Sequence, residues 1–388
     1  MNFRQKLRQN KFIKFFSSVK LAVSCLVLLF ILTFWGTVAQ VHEGLYIAQE
    51  RYFHSFFFLA LGFLPFPGGQ AVMWVLFVNL SCVALVRLNY KWRNIGLIII
   101  HFGLLLFLLS GYVMLRCAQE GYLSLSEGQI SNLSTAYHNW EISIWEADPQ
   151  SSGQKYTRAV TAVDADHFKN EQTIQFQQLG FLLKVKEYHR NCDAYAGEGG
   201  KQGILNASGI QRLQPADLDR APEKNTPGGI FNIQTADGQS FDILLFGRES
   251  SPVSFKVGDK EYQAILRLAR HQLPFELKLI DFMKEEHPGT DTPRSFKSQV
   301  AVETNQAWRE KLISMNNPLR YKDYTLYQSS YTIDQMGNES STLAVVKNVG
   351  RFMPYVSTFV TFAGLVIHFL MMALTAKKKP ESPYVDNE

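Results

Sequence analysis

The chain has 388 residues, 46% of them hydrophobic, and a formal net charge of +5, which is too long for one small domain. The positive charge sits beside apolar runs, whereas residues 116–351 hold 26 Lys and Arg against 29 Asp and Glu, a net of −3. The basicity is therefore a property of membrane flanks and gives no reason for a nucleic-acid partner. Four cysteines without C-x-x-C or C-x-x-C-H spacing exclude a thioredoxin-like site, a zinc ribbon and a c-type haem attachment on this chain.

In chain order, Arg4, Lys6, Arg8, Lys11, Lys14 and Lys20 precede an apolar run at 20–40. That run is longer than the core of a signal peptide and further spans follow, so it reads as a retained anchor despite the Thr37-Val38-Ala39 that ends it. The aromatic stretch 52–66, stopped by Pro65 and Pro67, is too short to cross and reads as a helix lying in the interface. Runs at 71–88 and 95–115, joined by Arg87, Lys91 and Arg93, and a last run at 352–376, followed by Lys377, Lys378 and Lys379, are each near the roughly 20 residues that span a bilayer. The expectation is a membrane protein with four transmembrane α-helices. Its N-terminal membrane region is 1–115, its large extracytoplasmic domain 116–351 and its cytoplasmic tail 377–388. The positive-inside rule puts both termini in the cytoplasm of a bacterial (inner) membrane.

Past Leu115 the pattern changes to alternation of period two. Trp140 to Trp145, Phe181 to Tyr188, Ile230 to Ile233, Phe241 to Leu245 and Phe275 to Leu279 all read as strands. The domain between spans 3 and 4 is accordingly expected to be mostly β, sandwich-like or barrel-like. Residues 195–230, rich in Gly and Pro, read as a long loop.

Two histidines interrupt otherwise uncharged spans: His101 in span 3 and His368 in span 4. An ionisable group there costs a few kcal/mol by insertion scales and needs a partner or a ligand; neutral imidazole is a leading metal ligand and an axial ligand of haem iron. With a rise of ~1.5 Å per residue, His101 lies roughly 9 Å and His368 roughly 12 Å from the cytoplasmic side. Their depths thus agree within a turn, and both rings can approach one site if the two spans are neighbours. The alternative is a hydrogen bond to a carbonyl or hydroxyl of a neighbouring helix. Cys25 and Cys82 fall in the cytoplasmic third of spans 1 and 2; a thiolate can bind haem iron, but small cysteines also fill helix contacts. His42 and His54 flank the outward loop and are weaker ligand candidates. Gly36, Thr37 and Gly103 suit close helix packing. Cys117 and Cys192 fall in the extracytoplasmic region and could pair. No catalytic triad, P-loop or dinucleotide motif is present.

Several segments together resemble the ResB (CcsB) type of cytochrome c biogenesis protein. They are Ser17-Ser18-Val19-Lys20-Leu21-Ala22 leading to Gly36-Thr37-Val38-Ala39-Gln40, Asn79-Leu80-Ser81-Cys82 with Arg87, and His101-Phe102-Gly103-Leu104-Leu105-Leu106. Met315-Asn316-Asn317-Pro318-Leu319 and Tyr327-Gln328-Ser329-Ser330-Tyr331 complete the set. Ala39 replaces the family's usual proline. The resemblance implies system II cytochrome c maturation: a complex with a tryptophan-rich ResC (CcsA) membrane protein that carries haem b across the membrane and supports its attachment to apocytochrome c. Thiol-reducing membrane proteins are further candidate partners. It also implies that His101 is a haem ligand; His368 rests on the depth argument. The six tryptophans are dispersed, so the chain would be one half of a holocytochrome c synthase and not catalytic alone. Two rival readings are a b-type haem redox subunit, which would normally need two histidine pairs, and a ligand-free membrane scaffold.

Overall fold

The computed structural model describes residues 7, 9–147, 161–166, 168–175, 179–196, 203–290, 293–304 and 307–376. The 377–388 tail with Lys377, Lys378 and Lys379, and the N-terminal Arg4, Lys6 and Arg8, lie outside them. The chain divides into two compact units, Met1–Gln119 with Lys347–Glu388, and Glu120–Val346.

The first unit carries four helices long and apolar enough to cross a membrane: span 1 (Val19–Glu43), span 2 (Gly69–Arg87), span 3 (Trp92–Cys117) and span 4 (Met353–Leu374). This is a membrane protein. Before span 1 the short helix Lys11–Phe16, capped by Asn10 through its side chain, turns into the span. The junction is tied to span 2 by buried Asn79, whose Nδ2 donates to the carbonyls of Phe16 (2.5 Å) and Ser18 (2.9 Å). An amide on an apolar helix has no water to bond, and two chain-reversal carbonyls supply its acceptors. The last turn of span 2, Val83–Arg87, widens into a π-helix.

The segment expected to be an interfacial helix is different. A helical turn ends at Phe53, and Phe57–Ala60 then pairs antiparallel with Leu64–Pro67. Leu61 and Gly62 both take positive φ, 55° and 83°, the combination that a tight hairpin turn needs. Proline lacks the N–H a helix would need there, and alternation turns Phe58 and Ala60 inward while Phe57 and Leu59 stay exposed. Phe58 and Phe66 close an aromatic cluster with Trp35 and Tyr52, with centroids 4.8–6.1 Å apart. Gly36 lets the Phe53 ring lie against span 1: a Cβ there would stand 2.9 Å from it.

The second unit is mostly β, as its alternation predicts. Two long strands, Ile130–Glu146 and Lys260–Glu286, form the spine of a ten-stranded sheet. At one end this sheet packs against a five-stranded one that includes Phe181–His189, Gly228–Thr235 and Ser240–Phe246; Ile142, Ile144, Leu183, Phe231, Ile243 and Leu266 are buried between them. At the other end the sheet curls on itself around Leu125, Leu277, Leu279, Val300, Leu326 and Leu343. The expected 195–230 loop is partly strand: Ile210–Pro215 pairs with Cys192–Ala196, and Ile204–Leu205 adds in parallel to Ser240–Phe246.

The curled end explains the Tyr327-Gln328-Ser329-Ser330-Tyr331 block. Gln328 is buried; its Oε1 accepts from Ser298 Oγ (2.7 Å) and its Nε2 donates to Ser341 Oγ (3.0 Å), while Ser298 also reaches Ser341 (2.7 Å). Three strands remote in sequence thus share one satisfied polar network inside an apolar core, which fixes their register. Tyr331 packs beside Phe282 and Phe296, at 5.2 and 5.4 Å between centroids.

None of the four cysteines is in a disulfide. Cys192 is buried with Leu213, Ile230 and Leu244, and burial, reinforced by Asp193 and Glu187, pushes its thiol up to about 12. A thiolate is the reactive form, so maleimide labelling at pH 8 should modify exposed Cys117 within minutes and spare Cys192 until the domain is denatured. Comparable labelling of both thiols in the native protein would contradict that placement.

Candidate functional site in the membrane spans

Spans 3 and 4 run antiparallel with their backbones almost touching. A Cβ on Gly96 would lie 2.6 Å from the Cα of His368; one on Gly103, 2.8 Å from the backbone nitrogen of Thr361; one on Gly364, 2.8 Å from that of Ile100. The small residues recur every seven positions, at Gly96, Gly103 and Ser110 and at Ser357 and Gly364. A repeat of seven keeps one face of each helix on the other over several turns. The seam's hydroxyls are satisfied within their own helices: Ser110 donates to Phe107, Ser357 to Pro354 and Thr361 to Ser357, at 2.7–2.9 Å. Span 2 meets span 3 differently, edge to face through Trp74 and Tyr112, with centroids 5.1 Å apart. The tight basic turn between spans 2 and 3 therefore does not produce the closest pair; the glycines do.

This seam fixes the two intramembrane histidines. His368 lies in it, its backbone against Gly96. His101, two residues from Gly103, lies roughly 160° around the helix from it, on the face turned away from span 4. In the register set by the three glycine contacts the two histidines are five residues apart, or about 7.5 Å along the axis, more than the single turn that counting from the span ends gave. The structure brings spans 3 and 4 together, with His368 in their seam and His101 on the face of span 3 away from it.

His101 itself is half-buried, and its Nδ1 is 2.8 Å from the carbonyl oxygen of Leu97, one turn earlier. A carbonyl only accepts, so Nδ1 carries the proton and Nε2 presents its lone pair. Among the described residues Nε2 has no hydrogen-bond partner. A second-atom bond of this kind orients a histidine that binds metal. His368 is half-buried, with its ring 5.9 Å from that of Phe369. Cys25 is buried among Leu21, Leu28, Leu32 and their neighbours in the span 1–2 contact, and Cys82 is half-buried where the α-helix of span 2 passes into its π turn. At the other end of the spans His42 is exposed, while His54 Nδ1 lies 2.7 Å from Glu50 Oε1. Among the described residues no three His, Cys, Asp or Glu side chains cluster as a metal site. A pendant single-histidine ligand is thus the chemistry that the spans offer, and His101 has the geometry for it.

Comparison with known proteins bears on the same question. The model of the ResB-like family matches residues 232–362, from the five-stranded sheet into span 4, including the Gln328 network. Protein NrfI of Wolinella succinogenes is 32% identical over 100 residues, a quarter of this chain but 11% of that protein. This chain therefore spans only a small part of that relative's length. From residue 232 to residue 362 the chain is similar to the ResB-like family.

Proposed function

We propose that this protein works in cytochrome c biogenesis, as the ResB-type membrane subunit of a system II synthase, and that it handles haem through His101. The observation that carries the reading is the state of that imidazole: Nδ1 is held by Leu97, and His101 stands on the face of span 3 opposite the glycine seam. In hydrocarbon an unmatched lone pair on a nitrogen is costly, and iron in a porphyrin is a partner that needs no further polar residue. When bound, haem would supply an iron that takes imidazole ligands, and His101 would provide one of them.

On this reading the opposite ligand comes from the companion subunit. His368 is separated from His101 by about 7.5 Å along the axis and lies in the seam, so the face of span 3 that carries His101 is the one that a tryptophan-rich ResC-type protein would cover. This chain's own work is then to fix the imidazole's orientation through Leu97 and its position through the span 3–4 seam. The positive-inside rule puts the β domain on the outer face, where it would hold the companion and apocytochrome c.

Co-expression with a ResC-type partner tests this. The purified pair should show a haem Soret band that His101→Ala lowers by most of its intensity and that His368→Ala leaves nearly intact. Equal losses in both variants would favour paired ligation by this chain. An unchanged band in His101→Ala removes the assignment, and a colourless wild-type pair favours the scaffold reading.

A further inference from the structure

At the end of the spans remote from the basic flanks, spans 1, 2 and 3 enclose a cleft of about 450 Å³. Its walls are mostly apolar and aromatic, with Phe53, Trp74, Phe77 and Tyr112 among them, and its polar groups include the His54 ring and the Gln70 amide. No lysine, arginine or carboxylate is among the side chains that line it; Arg116 lies nearby over the Tyr112 ring, 5.9 Å from its centroid. The cleft lies between helices that face lipid, so a membrane-dissolved molecule reaches it sideways.

His54 sets what that molecule must offer. Its Nδ1 is 2.7 Å from Glu50 Oε1, and Glu50 is more than half exposed. An ionised carboxylate only accepts, so Nδ1 carries a proton, and in the neutral ring Nε2 is then an acceptor. An acceptor in the lining of an uncharged aromatic slot favours a ring that bears a hydroxyl donor. A carbonyl has no proton to give it and can use only the Gln70 amide, which the oxygen of a hydroxyl can use as well. The geometry points to a quinol: the reduced, hydroxylated headgroup of a lipid quinone, stacked on the aromatic wall with one hydroxyl donating to His54 Nε2. A porphyrin would bring two carboxylates to a lining without a cation. This assignment goes beyond the haem reading and uses different residues.

The test uses the full chain in lipid nanodiscs and a short-chain benzoquinol, kept reduced under nitrogen, with binding followed by calorimetry. The wild type should bind the reduced probe saturably and its oxidised form at least ~10-fold more weakly, the worth of about one hydrogen bond. His54→Ala should weaken the quinol ~10-fold and erase the preference for the reduced form. Leu108→Trp, which fills the cleft from span 3 without touching His54, should abolish binding; both variants are checked for wild-type elution and far-UV circular dichroism. Equal binding of both redox forms, unaltered binding in either folded variant, or no binding by the wild type would overturn the proposal. Displacement of the quinol by haemin would assign the cleft to a porphyrin and overturn it as well.

Discussion

Replacing Gly96 by leucine should separate spans 3 and 4. The added Cβ meets the Cα of His368 at 2.6 Å and the Gly364 carbonyl oxygen at 2.8 Å, and neither atom belongs to a side chain that can rotate away. Overpacking a core with movable neighbours costs about 1–3 kcal/mol; against a helix backbone the cost should be at the top of that range or above, because one helix must shift whole. Helix association in lipid has no hydrophobic driving force to offset this, only close packing. The measurement is the yield of folded protein after detergent extraction and its thermal midpoint. Gly111→Leu is the control, since a Cβ at Gly111 meets nothing within 4 Å, and it should behave as wild type. Equal behaviour of the two variants would refute the seam.

The second large effect belongs to the β domain. Glu141 and Arg267 sit on facing strands of the spine, with Nε and Oε1 3.0 Å apart and only 9% and 14% of their side chains exposed; Ser143 Oγ donates to the same carboxylate oxygen at 2.8 Å. Removing one member leaves the other charge buried without its partner, which costs about 3–5 kcal/mol. Arg267→Met should therefore destabilise the domain by that amount. The double variant Glu141→Gln, Arg267→Met should recover much of the loss, because it removes the orphaned charge as well. Denaturant unfolding of the protein, followed by tryptophan fluorescence, checks both. A single variant within about 0.5 kcal/mol of wild type would show that the pair is effectively solvated.

How far these features could be read from the sequence depends on the range of the interactions behind them. The spans were legible because about 20 apolar residues have few alternatives to a membrane, and strands such as Phe181–His189 and Ser240–Phe246 because alternation is local. The 57–67 hairpin has local signals, two prolines and a Leu61-Gly62 turn, but the aromatic richness of the segment equally suits an interfacial helix. The loop at 195–230 hid a strand because the partner of 210–215 lies fourteen or more residues back. Gln328 belongs to a legible motif, but of its partners only Ser341 lies on the next strand, and Ser298 is brought to it by the curl of the sheet.

The candidate site shows the same division. His101 and His368 were visible as polar groups in apolar runs, and depth could be estimated by counting. Which face each ring takes was not visible, because it depends on the register of spans separated by some 235 residues. That register is set by Gly96, Gly103 and Gly364, of which only Gly103 was singled out beforehand. The pairing of His54 with Glu50 is one helical turn apart and was open to a local reading. The cleft beside it, drawn from three spans, was not.

The central claim is that His101 Nε2 is a ligand of haem iron, and cavity rescue tests it most directly. In His101→Gly, co-expressed with a ResC-type partner, the account predicts loss of the six-coordinate haem spectrum and its return on adding millimolar imidazole, which enters the vacated space and binds the iron. A His101→Gly pair with an unchanged spectrum and no response to imidazole would contradict it.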